Sequence, residues 1–405
     1  MKRGFRQLLR AVCFALLVGF VMVGLQLRNQ SGFSVVCAEQ KQISEEMVKT
    51  EVNSQLEGID IDDLEDFYER EIDWDIFENK TLKEGLREMI TSGKILDLGD
   101  LLSLLFNVIT SEIGQVLKLV ALIVAVVGFG SFSQMLEGFG KKTSGISGVV
   151  NFFILTVILS IVAAVIADFV GETTQLLYKI KSLMEIISPI LLAILITVGG
   201  NTLSASLQPS VVILTGGVIE IIVISTSVVV SLYLVLSVLG ELSDAIKLDK
   251  LKNFVASTYK WLIGLTFTIF MGYLSLNGIT ASGADNISIK TAKYAIRSYI
   301  PLIGGYVSDS YEIFRVGSVL IKNSIGVIGV VILFTLVIGK IVTLVLYNLG
   351  FKLASGISEP LSNGKASKFL GSLSTVFNFL IVGIVACFLM SALTLLVVMS
   401  AGNIK

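Results

Sequence analysis

Two ionisable residues stand inside runs that are otherwise apolar: Glu220 in TGGVIEIIVIS and Lys340 in LFTLVIGKIVTLVL. A charge near the centre of a bilayer costs about 2.5 to 3.5 kcal/mol on insertion scales, so such residues face a partner or a wet cavity. Their opposite signs at comparable depth make a pair across the helix bundle the expectation. The pair would serve as a gate or pathway element, or as a purely structural tie; otherwise both groups snorkel from helices whose ends lie elsewhere. Other chemistry is hard to assemble. The chain has no histidine, which removes the usual general base, the commonest metal ligand and every Ser-His or Cys-His arrangement. Its three cysteines, Cys13, Cys37 and Cys387, form no CxxC motif and no readable disulfide framework. The Gly364-Lys365 pair is not a P-loop, because Glu359 stands where the first glycine should be and Ala366 follows the lysine. No catalytic residue, cofactor, metal or nucleic acid is called for.

A second cluster of polar groups lies in SIKTAKYAIRSYIPLIGGYVSDS, residues 288 to 310, between two long apolar runs. Ile289, Ala292, Ile296 and Tyr299 recur at helical spacing, and Lys290, Lys293 and Arg297 form a neighbouring stripe. This reads as a short basic amphipathic helix, suited to a headgroup surface or an acidic partner. Pro301 disfavours helix at Ile300. After Gly304-Gly305 a second helix begins, with Asp309, Glu312 and Arg315 spaced by three on one side. The expectation is two short helices hinged over residues 300 to 305, forming either an interfacial loop or a re-entrant, pore-lining element. Glycine doublets at Gly199-Gly200, Gly216-Gly217 and Gly304-Gly305 suit close helix packing or local unwinding.

The elements that position these residues are membrane helices. The 405 residues are 54% hydrophobic and 16% charged, with a mean hydropathy of +0.84. A soluble chain is nearer a quarter charged, and about 20 apolar helical residues suffice to cross a bilayer. Candidate spans run over 114 to 134, 149 to 170, 184 to 200, 210 to 240, 258 to 279, 325 to 349 and 375 to 400, about seven in all. The 210 to 240 run is long enough to be a tilted span or a tight pair. Loop charge leaves the orientation open. Lys141 and Lys142 favour a cytoplasmic first loop, but the lysine-bearing 241 to 260 loop and the 285 to 324 segment fall on opposite sides under any simple alternation, so the positive-inside rule holds for only one of them unless part of the segment lies in the membrane plane.

Upstream, MKRGFRQLLR followed by AVCFALLVGFVMVGL resembles a secretory signal. Val36-Cys37-Ala38 forms a cleavage site after residue 38, although the long spacer also fits an uncleaved anchor. Residues 39 to 113 carry 7 Lys/Arg against 20 Asp/Glu and read as an acidic, mainly helical extracytoplasmic region. Thr81-Leu82-Lys83-Glu84 fits a capping box, Leu82, Leu86 and Met89 or Ile90 form an apolar stripe, and Gly93 a stop. The region is either a solvated linker or a docking module. The expected fold is therefore an all-α polytopic membrane protein: signal-like residues 1 to 38, acidic region 39 to 113, and membrane domain 114 to 405 with the amphipathic segment 285 to 324.

The stretch GITASGADNISIKTAKYAIRSYIPLIGGYVSDSYEIFRVGSVLIKNSIG, residues 278 to 326, resembles the stage III sporulation protein AE family of endospore-forming bacteria, as does the late SEPLSNGKAS loop. The resemblance implies a multi-pass protein of the mother-cell membrane around the forespore. There it would be a component of the sporulation stage III A assembly, which is thought to form a transenvelope, secretion-like channel with the forespore's stage II sporulation protein Q. That assembly supports forespore integrity and late forespore gene expression, and its ATPase is a separate subunit. The family brings no catalytic residues to place on this chain. The competing class is a self-sufficient secondary transporter, favoured by intramembrane charges and glycine breaks; the absence of a visible internal repeat leans against it. A membrane enzyme would need a carboxylate or lysine mechanism, for which no paired motif is present.

Overall fold

The computed structural model describes residues 45–72, 80–92, 98–138, 144–242, 248–299, 304–360 and 365–401. The signal-like start lies outside this set, as do Pro301 and the side chains of residues 277–312. Among the described residues the regular structure is helical, with no strand.

Three short helices come first: α1 (Glu45–Glu57), α2 (Asp62–Glu71) and α3 (Leu82–Ser92). The capping box forms as expected. The Glu84 backbone N–H donates to Thr81 Oγ1 at 3.2 Å, the Thr81 N–H donates to Glu84 Oε2 at 3.1 Å, and the helix stops at Ser92. The acidic composition hides an apolar face, with Val52, Leu56, Leu64, Phe67, Leu82, Leu86 and Met89 all buried. Each such side chain stabilises the packed state by roughly 1.5 to 3 kcal/mol relative to exposure. These helices are therefore docked on the bundle. The Gln55 amide donates to the Phe314 carbonyl at 3.1 Å and its oxygen accepts from Ser318 at 2.8 Å, and Lys179 meets Glu71 at 2.8 Å.

The membrane bundle comprises α4 (Leu98–Gly138), α5 (Ser144–Thr197), α6 (Asn201–Ile213), a π-helical turn at Leu214–Val218, α7 (Ile219–Leu242), α8 (Asp249–Tyr299), α9 (Gly304–Ser358) and α10 (Lys365–Ser400). Six segments among the described residues are long and apolar enough to cross a membrane. The expected spans at 149 to 170 and 184 to 200 are one helix, α5. Leu176, Leu177, Ile180, Leu183, Met184 and Ile187 keep a buried stripe going at helical spacing through the polar stretch between them. The long 210 to 240 run is a single passage widened by the π turn. Likewise, the two amphipathic pieces of segment 285 to 324 are the ends of long helices. Helix α8 ends at Tyr299 and α9 begins at Gly304, while the expected hinge at residues 300 to 303, Pro301 included, lies outside the described residues.

Pairing along α9 sets the register. Lys340 meets Glu172, Gly329 faces Ile187 and Arg315 reaches Val198, so α9 and α5 are antiparallel. Gly339 faces Val108 and Gly350 faces Val116, so α9 and α4 are parallel. Phe351 stacks near Phe377 at 5.3 Å and Gly326 abuts Met399, so α9 and α10 are antiparallel. The α5 to α6 turn closes on Gly199, whose φ of 92° is the left-handed conformation that glycine adopts at no steric cost.

Candidate functional site

Helix α9 carries four cations, and three of them, Arg315, Lys322 and Lys340, follow one another at intervals of 7 and 18 residues. At about 100° per residue these positions fall within about 20° of one another and span roughly 37 Å of helix. Each is tied to a different group. Arg315, 5% exposed, donates from Nε to the Val198 carbonyl just past the end of α5, at 3.3 Å. Lys322, fully buried, donates to the Ala401 carbonyl just past the end of α10. Helix C-termini expose unpaired carbonyls and a partial negative charge, so a cation there satisfies both. Lys340 donates to Glu172 on α5 and lies over the Phe169 ring, 4.6 Å from its centroid. That ring packs edge-on against Tyr347 at 4.6 Å and Phe377 at 5.4 Å, linking α5, α9 and α10.

The expected Glu220–Lys340 pair does not form. Glu220 accepts instead from the Tyr178 hydroxyl at 3.3 Å, and Lys340 is taken by Glu172. The cause is the continuity of α5: with no break between the two expected spans, antiparallel packing brings Glu172 opposite Lys340 and Tyr178 opposite Glu220. Glu172 and Tyr178 escape a reading of the sequence because they fall in an apparent loop. Lys322 escapes it as part of VLIKNSIG; the signal available is its spacing of seven from Arg315 and eighteen from Lys340, close to an integral number of turns in each case.

Glu220 opens the first turn of α7, directly after the π turn LTGGV. A π turn inserts a residue into the helical ladder and recurs at functional sites. A Cβ added at Gly216 or Gly217 within it would have nothing within 4 Å, so close packing does not explain this doublet, whereas local unwinding does. The glycines that permit close packing lie elsewhere, at Gly326, Gly329 and Gly350 of α9. Deeper in the bundle Tyr259 joins three helices. Its hydroxyl sits 2.8 Å from Thr226 Oγ1 on α7 and donates to the Phe379 carbonyl on α10 at 2.9 Å.

Of the segment residues, Lys290, Lys293 and Arg297 lie on the last turns of α8, and Gly304, Gly305, Asp309 and Glu312 on the first turns of α9. Only Arg315 has a described side chain, and it turns inward. The Lys179 ammonium on α5, hydrogen-bonded to Glu71 on α2, holds that carboxyl below its usual 4.5. Among the described residues no group of His, Cys, Asp or Glu could hold a metal ion.

Long antiparallel apolar helices, with interior charges committed to helix ends and one ion pair, define a multi-pass helical membrane protein. The particular family emerges from comparison: the family model of Stage III sporulation protein AE matches residues 80–402, and the chain belongs to that family. The Stage III sporulation protein AE of Bacillus subtilis (strain 168) is 25% identical over 325 residues, which is 80% of each chain. No solved structure matches. The chain is thus a multi-pass membrane protein of a sporulation family.

Proposed function

We propose that the chain is a non-enzymatic subunit of a sporulation membrane assembly, set in the mother-cell membrane around the forespore and contributing to a channel between the two cells. The observation that carries this reading is family membership across nearly the whole bundle. The site geometry supports a packed structural subunit, because Arg315, Lys322 and Lys340 each hold a neighbouring helix. Energy for transport would come from a separate ATPase subunit, and the forespore-side partner would be stage II sporulation protein Q. Residues 1 to 38 would direct the acidic helices across the membrane. Deleting the gene should block spore formation while leaving vegetative growth unaffected. Normal spore yield from the deletion strain would end this reading.

The second reading, a self-sufficient secondary transporter, is favoured by the widened turn at Gly216-Gly217 beside Glu220. It requires that growing cells lose uptake of a solute when the gene is deleted, and that Glu220→Gln reproduce the loss.

A further inference from the structure

Helix α4 touches the bundle along one narrow side. Val116 and Val120 meet Gly350 of α9 there, Ile123 and Val127 continue the same buried side, and the helix also packs on α5. At about 100° per residue, Asn107, Ser111, Gly114 and Lys118 fall on the opposite side, and all four are exposed. Lys118 stands at the middle of the 23-residue apolar segment Phe106–Gly128. An ammonium aimed outward at that depth is expensive in lipid and calls for a partner. The Ser111 hydroxyl is tied to the Val108 carbonyl at 2.9 Å, but Lys118 and the Asn107 side-chain amide have no partner among the described residues.

The adjoining helix α5 carries the complement. Ile158, Val162, Ile166 and Phe169 are buried, whereas Ser160, Ala164, Asp168 and Gln175 are turned away from that side and exposed. The Asp168 carboxylate and the Gln175 amide also have no partner among the described residues. Contacts with α9 place both helices on one scale, because Val116 abuts Gly350 and Glu172 meets Lys340. On that scale Asn107 and Gln175 share one height, and Gly114 and Ala164 another. Lys118 stands about two turns, roughly 12 Å, beyond Asp168 toward the C-terminal end of α9. Side chains on a helix lean toward its N-terminus, and α4 and α5 run in opposite senses, so the ammonium and the carboxylate lean toward one another in height. Within one chain both are turned to the outside.

We propose that a second copy of this chain covers this flank, with α4 of each copy lying on α5 of the other about a two-fold axis along the membrane normal. Such an axis keeps the height and direction of every helix, so Asn107 of one copy meets Gln175 of the other, Gly114 meets Ala164, and Lys118 reaches Asp168. Both signs of charge lie on the one flank, so the contact is self-complementary and every pair forms twice. A different membrane protein would have to bring a carboxylate and an amide to these same heights, whereas this chain already holds both. The proposal rests on the multi-pass reading and deepens the proposed function by making the unit that enters the assembly a dimer.

The test is disulfide cross-linking between two differently tagged full-length copies, with Cys13, Cys37 and Cys387 replaced by serine, co-expressed without other sporulation proteins. One copy carries Gly114→Cys, where an added Cβ has nothing within 4 Å, and the other carries Ala164→Cys. Oxidation in membrane vesicles should give an adduct that holds both tags and has the mass of two chains, which a bond within one chain cannot produce. Lys118→Asp or Lys118→Ala in both copies should abolish most of that adduct, and adding Asp168→Lys to Lys118→Asp should restore it. Lys260→Asp, at an exposed lysine of α8 away from the flank, should leave it unchanged, which separates docking from the general cost of altering a charge in a membrane helix. The proposal is overturned by vesicles that hold both chains yet yield no mixed adduct, by an adduct indifferent to Lys118→Ala, or by an exchange that restores nothing. A chain that stays single and still co-purifies with sporulation membrane proteins would end the dimer and leave the assembly reading standing.

Discussion

Gly350 offers a sharp test of how α9 packs. A Cβ added there would lie 2.5 Å from Val116 Cγ1 and 3.4 Å from Val120 Cγ2 on α4, both in the core. Valine in a helix has one strongly preferred rotamer, so Val116 cannot swing its methyl aside without strain. Gly356, six residues on in the same helix, has nothing within 4 Å of its Cβ position. Gly to Ala in a helix interior normally gains about 1 kcal/mol. At Gly356 that gain should appear nearly whole. At Gly350 it is opposed by an overpacking cost of about 1 to 3 kcal/mol, leaving Gly350→Ala neutral to about 2 kcal/mol destabilised. The assay is thermal unfolding of the purified protein in mild detergent, with the two variants compared directly. Adding Val116→Ala to Gly350→Ala should recover part of the loss, since it removes the obstructing methyl groups. If both single variants gain stability equally, or if Val116→Ala brings no recovery, the close approach of α4 and α9 is wrong.

The same contacts lead to other outcomes. Tyr259→Phe leaves the buried Thr226 hydroxyl without its Tyr259 partner and removes the second bond to the Phe379 carbonyl, and should lower stability by about 1 to 3 kcal/mol, read in the same unfolding assay. Exchanging charges as Glu172→Lys with Lys340→Glu should restore protein levels lost in either single variant, whereas Glu220→Lys with Lys340→Glu should not. The Glu71 carboxyl, held low by Lys179, contributes stability that is complete above about 4.5 and is lost as pH falls through its depressed folded value. Protease protection of α1 to α3 should therefore decline on that acid limb, and Glu71→Gln should flatten the decline. Gly317→Leu would collide with the Gln55 amide, 3.4 Å from its Cβ position, and should expose α1 to proteolysis without reducing membrane insertion.

Much of the architecture is written in local signals. The Thr81 to Glu84 box states its own hydrogen bonds, and the Gly304-Gly305 doublet stands where α9 begins. The apolar runs likewise announce their length. Helix continuity is less legible at residues 171 to 185, where Glu172, Lys179, Lys181 and Glu185 make a hydropathy profile dip while the buried stripe beneath them persists. A window average erases that stripe, and with it the true partners of Lys340 and Glu220. The acidic helices are ambiguous for a related reason: a net charge of one sign says nothing about an apolar face as narrow as Leu64, Phe67 and Tyr68. Lys322 stays hidden because its partner, the Ala401 carbonyl, is backbone and leaves no mark in side-chain chemistry.

The central claim is that this chain works as part of a membrane assembly during sporulation. The most direct measurement is purification of an affinity-tagged full-length chain from sporulating cells after solubilisation in a gentle detergent, with everything recovered identified by mass spectrometry. Recovery together with other sporulation membrane proteins, in a complex that is absent from growing cells, is the predicted result. Recovery of the chain alone, monodisperse and without sporulation partners, would contradict the account.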